Sequence, residues 1–193
     1  MMNKETIYSK NVIEFTTVAH EYCVFMENID NYSKADFIKV ASCMLPLIYV
    51  KASVVPEVEP MIDGAMEEFV DEFSYEHVRQ TIRKKITKHD DYLEVFKEDM
   101  RHSETPIIAN ISEDMADIYQ SLKNFCETYR LGVDEAMNDA LHAVIDDFKH
   151  YWGQRLCNAQ RALHCALYSG EDLCDEKGID EEEIDIESAT IEF

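Results

Sequence analysis

Residues 137–167 read MNDALHAVIDDFKHYWGQRLCNAQRALHCAL, and this stretch decides the fold class. Its apolar side chains recur at gaps of three or four residues, which fits the period of an α-helix and not that of a β-strand. A helix of about 35 residues rises ~1.5 Å per residue and spans roughly 50 Å. We therefore predict a long C-terminal helix against which the other helices pack. Its apolar stripe consists of Met137, Leu141, Val144, Phe148, Trp152, Leu156, Ala159, Leu163 and Leu167.

Two amphipathic segments near the N-terminus predict a pair of helices. The first begins at Asn11 and ends near Asp30, and the second begins at Ser33. Pro46 lies inside the second segment, where its ring is expected to kink the helix. We expect the two helices to form an antiparallel hairpin.

Three more segments follow before the long helix. Asp71 or Ser74 caps a third helix, and residues 92–100 form a short fourth segment after a turn. A fifth helix begins at Ser112 and ends before Gly132, which is a good stop signal. The chain has only 5 Gly and 4 Pro, too few for an all-β fold with many tight corners. The sequence predicts an all-α, single-domain bundle of five or six mostly antiparallel helices.

Composition divides the chain into two parts, a helical domain over residues 1–170 and an acidic tail over residues 171–193. The tail carries eleven acidic residues and one lysine, so about half of the net charge of −22 lies there. Such blocks often serve as interaction tails. Ile191 and Phe193 punctuate the tail and are candidates for docking on a sister chain, which predicts a possible homo-oligomer.

The strong acidity indicates which partners the protein attracts. A net charge of −22 repels nucleic acid and anionic membranes and attracts basic proteins. The sequence has no apolar stretch long enough to span a membrane and no apolar signal-peptide core. None of its 6 Cys forms a C-x-x-C pair, which argues against a zinc knuckle or a redox motif. We therefore predict a cytoplasmic protein.

Three segments carry a resemblance to a known family: residues 89–96 (HDDYLEVF), residues 112–119 (SEDMADIY) and residues 152–164, which begin Trp-Gly and end Ala-Leu-His. They resemble an uncharacterised, domain-of-unknown-function family of small all-helical bacterial proteins. The resemblance covers most of the chain up to about Ser169, with the acidic tail as an addition. It implies an all-helical fold, and it implies no activity, cofactor or catalytic residue.

Three metal-competent side chains, His142, Asp146 and His150, recur at i, i+4 and i+8 on the long helix. This spacing places them on one face, opposite the apolar stripe. A solvated polar face explains them without a metal ion. A zinc or iron site here would need a carboxylate from another helix.

A second candidate set consists of five carboxylates. Glu67, Glu68 and Asp71 form an E-E-x-x-D string, which is the first half of a signature in helical, Mg²⁺-dependent nucleotide pyrophosphohydrolases. Asp114 and Asp117 are the nearest approximation to its second half, with Asp in place of Glu. The alternative is that acids in the first turns of a helix are stabilised by its macrodipole. A chain with 40 acidic residues also contains such strings by chance.

One basic cluster lies on the third helix, with no aromatic side chains interleaved for stacking bases. It is expected to neutralise acids on the body or to receive the acidic tail. Its members are Arg79, Arg83, Lys84, Lys85 and Lys88.

The sequence contains no nucleophile elbow, phosphate-binding loop or dinucleotide fingerprint. The leading hypothesis is therefore a non-enzymatic interaction module, without a cofactor, whose acidic surface and tail bind a basic protein. The alternative is a metal-dependent hydrolase of nucleotides or other phosphate esters that uses the five carboxylates.

Overall fold

The computed structural model of the protein describes residues 4–62, 67–94, 107–170 and 173. Helices dominate the described residues, and the predicted bundle with a long C-terminal helix is confirmed. In chain order the elements are α1 (Lys4–Ile7), α2 (Lys10–Glu27), α3 (Lys34–Ser53), α4 (Glu72–Ile86), β1 (Asp91–Glu94), β2 (Ile107–Asn110), α5 (Ile111–Arg130), α6 (Asp134–Asp147) and α7 (Gly153–Tyr168).

Helix α5 lies at the centre of the bundle and packs against α2, α4, α6 and α7. Helix α3 packs against α2 and α7 on the other side of the core, and it continues through Pro46 to its end at Ser53. The largest side chains of the core are fully buried, among them Phe15, Tyr22 and Trp152. None of the helices in the described ranges is long and apolar enough to cross a membrane.

The long C-terminal helix runs from Asp134 to Tyr168 and contains a π-helical turn at Phe148–Trp152. The apolar stripe carries the signal for this turn, since three successive gaps of four residues separate Val144 from Leu156. At about 100° per residue, an ideal α-helix would rotate Leu156 about 120° away from the stripe. The extra residue of a π turn takes up most of that rotation, so both side chains are buried.

Gly153 permits the π turn to exist. A Cβ atom at this position would overlap the carbonyl oxygen of Phe148 and touch its ring. The indole of Trp152, one residue earlier, is buried and donates from Nε1 to the carbonyl of Val144 at 3.1 Å. The glycine therefore allows a close approach within its own helix.

The expected short helical segment at residues 92–100 is wrong where the structure describes it. Residues 91–94 form β1, which pairs antiparallel with β2, Tyr92 lying opposite Ala109. The physical reason lies in Asp90, which is buried and binds the start of α5. Its side chain accepts hydrogen bonds from the backbone and hydroxyl of Ser112 at 2.7 and 2.8 Å. This anchor holds β1 beside α5, and residues 95–100 lie outside the described residues.

An extended segment after α3 crosses α6 and is held by polar side chains. The carboxylate of Asp139 accepts hydrogen bonds from the backbone amides of Met61 and Ile62, both at 2.7 Å. Asn138 donates to the carbonyl of Glu59 at 2.7 Å. These bonds replace secondary structure for a segment that contains two prolines. We call residues 54–62 the strap.

The candidate cleft between α5 and α7

Two aspartates one turn apart on α5 form the centre of a buried polar network. The side chains of Asp114 and Asp117 are only 4% and 8% exposed, although both point away from the apolar core stripe of their helix. A carboxylate at such a position loses its hydration and needs charged or hydrogen-bonding partners. Four side chains from four other elements supply them.

Asp114 has a donor on each carboxylate oxygen. Oδ1 lies 3.1 Å from Nη1 of Arg155 on α7, and Oδ2 accepts a short hydrogen bond from the hydroxyl of Tyr92 on β1. Burial raises the pKa of Asp114 to about 6, although Tyr92 and Arg155 both lower it. The network therefore contains a carboxylate that titrates just below neutral pH.

Asp117 also has a donor on each oxygen. Oδ1 accepts from the hydroxyl of Tyr75 on α4 at 2.8 Å. Oδ2 accepts from the hydroxyl of Tyr151 at 3.0 Å and lies 3.0 Å from Nη1 of Arg155. One guanidinium group therefore neutralises two buried carboxylates.

The tyrosines are protonated donors throughout the neutral pH range. Burial and the hydrogen bond to a carboxylate raise the pKa of Tyr75 and of Tyr92. Burial and the charge of Asp117 raise the pKa of Tyr151. Deprotonating any of them would place a second negative charge beside an aspartate.

An open cleft of about 430 Å³ adjoins this network, between β2, the start of α5 and the π turn with α7. We call it the acidic cleft. Glu113, which is 49% exposed, lies at the cleft, 3.8 Å from Nη1 of Arg155. Its charged and polar lining residues include Glu94, Glu113, Asp114, His150, Arg155 and Asn158.

The first group of predicted carboxylates lies elsewhere. Glu67 and Glu68 are exposed and line a second cleft of about 490 Å³ between α5 and α6, together with Asn124 and Asp147. Asp71 caps α4 by accepting from the backbone amide of Ser74 at 2.8 Å. This cap identifies which of the two predicted residues begins the helix.

The three predicted metal-competent residues of the long helix make separate contacts. Nδ1 of His142 lies 2.7 Å from the carbonyl oxygen of Val58 in the strap. His150 and Asp146 are exposed and form a pair at 3.2 Å. Within the ranges that the structure describes, no three His, Cys, Asp or Glu side chains are grouped as a metal site requires.

Sequence reasoning found Asp114 and Asp117 but not the residues that bind them. Tyr151 and Arg155 each directly precede a residue of the apolar stripe, Trp152 and Leu156, so they flank the buried face of the long helix. A charged or phenolic side chain at such a boundary position is a signal for a half-buried polar contact. Nothing in the sequence indicates which acids it meets.

Comparisons with known proteins place the chain among uncharacterised bacterial relatives. A family model described as a domain of unknown function (DUF5063) matches residues 6–169. The crystal structure of protein BF1032 from Bacteroides fragilis is similar, with 41% sequence identity and a TM-score of 0.78. The match covers 86% of this chain and 98% of that one. No protein with a curated description matches.

Proposed function

This chain belongs to the DUF5063 family, and we propose that it is a non-enzymatic protein-interaction module whose acidic cleft holds a cationic side chain of a basic partner. One observation carries the proposal: a single guanidinium, that of Arg155, faces three carboxylates. Two of them, Asp114 and Asp117, are buried and bound to it directly. Glu113 is left half-exposed beside them, at the longer distance of 3.8 Å.

The electrostatic argument follows from this count. At pH 7 most Asp114 side chains are ionised, because their pKa is about 6. Arg155 offsets one of the three charges, so the described groups around it keep a net negative charge. A lysine or arginine entering the cleft would meet this charge in a partly desolvated site, where Coulomb attraction exceeds that in bulk water. The net charge of −22 would in addition steer a basic partner toward the surface.

The rim of the cleft offers apolar contacts for the same partner. Leu93 and Ile108 lie opposite each other in the two-stranded sheet, and both are more than half exposed. Ile108 lines the cleft itself. An acidic centre beside an apolar rim suits a basic segment that carries a neighbouring hydrophobic side chain.

Hydrolysis by the five predicted carboxylates has less support. To ligate Mg²⁺, Asp114 and Asp117 would have to exchange Arg155 and tyrosine donors for the metal. Glu67 and Glu68 line the other cleft. This function stays a prediction, and a thermal-shift screen with Mg²⁺ and nucleotides tests it, since a ligand at 100 times its Kd adds about 2.7 kcal/mol.

Fluorescence anisotropy with a labelled lysine- and arginine-rich peptide tests the interaction hypothesis. We expect binding that weakens between low and high salt, and we expect Glu113→Gln to weaken it about threefold to tenfold. Glu72→Gln, an exposed acid in the first turn of α4, is the matched control. A glutamate-rich peptide that binds equally well, or equal loss in both variants, would contradict the proposal.

We extend the proposal to the acidic tail, whose residues 171, 172 and 174–193 lie outside the described residues. Its net charge of −10 makes it a second contact for the same basic partner. Removing residues 171–193 is expected to reduce the salt dependence of peptide binding. Light scattering of the shortened chain tests the predicted homo-oligomer, because an unchanged mass would rule out the tail as its interface.

A further inference from the structure

A third cleft, of about 550 Å³, has the opposite character to the acidic one. It lies between the first turn of α3, the turn before that helix and the last turns of α4. Lys34, Lys84 and Lys85 line it, and Asp30 is the one acid among its described lining residues. We call it the lysine cleft. In a chain with 40 acidic and 18 basic residues, such a concentration of ammonium groups needs an explanation.

The ammonium groups are held in place by neutral oxygens. Nζ of Lys34 donates to the hydroxyl of Thr87 at 2.8 Å, and its residue is only 4% exposed. Nζ of Lys85 donates to the carbonyl of Tyr32 at 2.7 Å. Fixing a lysine in one rotamer costs conformational entropy, and a neutral acceptor leaves its positive charge uncompensated. Both contacts orient charge along the wall of the cleft.

Backbone strain supports the same wall. Thr87 has φ of 50° and ψ of −119°, the one positive φ at a non-glycine residue in the described part of the chain. This conformation is unfavourable for a β-branched residue and costs of order 1–3 kcal/mol. It directs the backbone out of α4 while the Thr87 hydroxyl accepts from Lys34.

The remaining lining residues complete a surface that is rich in donors. His77, Gln80 and Thr81 join the three lysines and Thr87, so seven of the eight described lining side chains can donate hydrogen bonds. The ligand is therefore an anion with several acceptor oxygens. No Phe, Tyr or Trp stands among these lining residues, which leaves no platform for a nucleotide base.

We propose that the lysine cleft binds a small phosphate ester of a sugar or another polyol. Lysine is a common phosphate binder, and the volume lies in the range of small-molecule sites. The phosphate oxygens accept from Lys84, Lys85 and Thr81. Asp30, which accepts only, takes a hydroxyl group of the same molecule. This site is separate from the acidic cleft, so the proposal does not depend on the function proposed above.

Amide chemical-shift mapping on the full chain tests it, with glucose 6-phosphate, inorganic phosphate, unphosphorylated glucose and sodium chloride at matched ionic strength as probes. We expect glucose 6-phosphate to shift the amides of residues 77–87, with weaker effects from inorganic phosphate and none from glucose or chloride. Lys84→Gln combined with Lys85→Gln is expected to weaken this binding about tenfold or more. Lys39→Gln, an exposed lysine on α3 that does not line the cleft, is the control.

Four outcomes overturn the proposal. The first is the absence of shifts in residues 77–87 with glucose 6-phosphate, and the second is equal affinity in the double variant and the control. The third is that inorganic phosphate binds as tightly as the sugar phosphate, which removes the role of Asp30. The fourth is that a synthetic peptide of residues 171–193 gives the shifts that glucose 6-phosphate does not, which would assign the cleft to the acidic tail.

Discussion

The guanidinium carbon of Arg155 lies 4.8 Å from the centre of the Tyr151 ring, one turn earlier on the same helix. Both side chains reach one oxygen of Asp117, Tyr151 through its hydroxyl and Arg155 through Nη1, each at 3.0 Å. The π turn ends between the two residues and sets their relative rotation. The geometry of the acidic cleft therefore depends on a local irregularity of the long helix.

Replacing Arg155 is expected to destabilise the fold. Arg155→Gln removes the cation from two buried carboxylates, and loss of one partner of a buried pair costs about 3–5 kcal/mol. Since the Arg155 side chain is 31% exposed, we expect about 2–4 kcal/mol in the free energy of unfolding by urea. Arg161→Gln, an exposed arginine on the same helix, is expected to cost under about 0.5 kcal/mol. Equal costs for the two variants would show that the network contributes no stability.

The raised pKa of Asp114 predicts a pH dependence of stability. An aspartate in the unfolded chain has a pKa of about 3.9, and in the folded chain burial raises that of Asp114 to about 6. The folded state therefore binds more protons between these values, and stability falls as pH rises through this window. Relative to Asp114→Asn, the wild-type protein is expected to lose up to about 3 kcal/mol between pH 4 and pH 6.

Asp71 is the control for this experiment, because its hydrogen bonds to Ser74 lower its pKa. Its contribution is present above the unfolded-state pKa and is lost as pH falls, so Asp71→Asn changes the pH profile with the opposite sign. Urea unfolding at pH 4, 5, 6 and 7 measures both variants. A profile for Asp114→Asn that runs parallel to the wild type would contradict the assigned pKa.

Gly153→Ala distinguishes the π turn from an ordinary helix. In a regular helix interior this change stabilises by roughly 0.5–1 kcal/mol. Here the added Cβ would overlap the carbonyl oxygen of Phe148, so we expect destabilisation of about 1–3 kcal/mol. Thermal unfolding of this variant beside Gln154→Ala, an exposed neighbour, gives the sign directly. A stabilised Gly153→Ala protein is incompatible with the turn.

Asp139 is expected to control the opening of the strap. Its two carboxylate oxygens accept from the amides of Met61 and Ile62, and Asp139→Asn leaves one amide without an acceptor. Hydrogen exchange at these amides is expected to accelerate about tenfold or more, since a hydrogen bond to a charged group contributes about 1.5–3 kcal/mol. Asp146→Asn, exposed on the same helix, is expected to leave exchange in the strap unchanged. Equal exchange rates in all three proteins would show that the strap is held elsewhere.

The fold was predictable wherever one local pattern determined the structure. The apolar spacing from Met137 to Leu167 predicted the long helix, and the side chain of Ser33 accepts from the amide of Asp36 as a helix cap does. The hairpin was missed because Asp90 fixes it through Ser112, which lies 22 residues away. Sequence periodicity carries no information about such a contact.

The candidate site was predictable only in half. Asp114 and Asp117 stood out by their position at a helix start, where macrodipole stabilisation explains them equally well. Their partners lie 22 to 42 residues away in sequence, on four other elements. Only tertiary packing brings these side chains together, so the burial of the carboxylates and the pKa of Asp114 could not be foreseen.

Titration of the Asp114 and Glu113 carboxyl carbons by NMR, with and without the basic peptide, tests the central claim most directly. A cation held in the acidic cleft favours the ionised form of nearby acids. We therefore expect the peptide to lower the pKa of Asp114 below about 6, to shift the Glu113 signal, and to bind more tightly as pH rises through this range. If the peptide binds while both titration curves stay unchanged, the partner does not use this cleft and the proposed function is wrong.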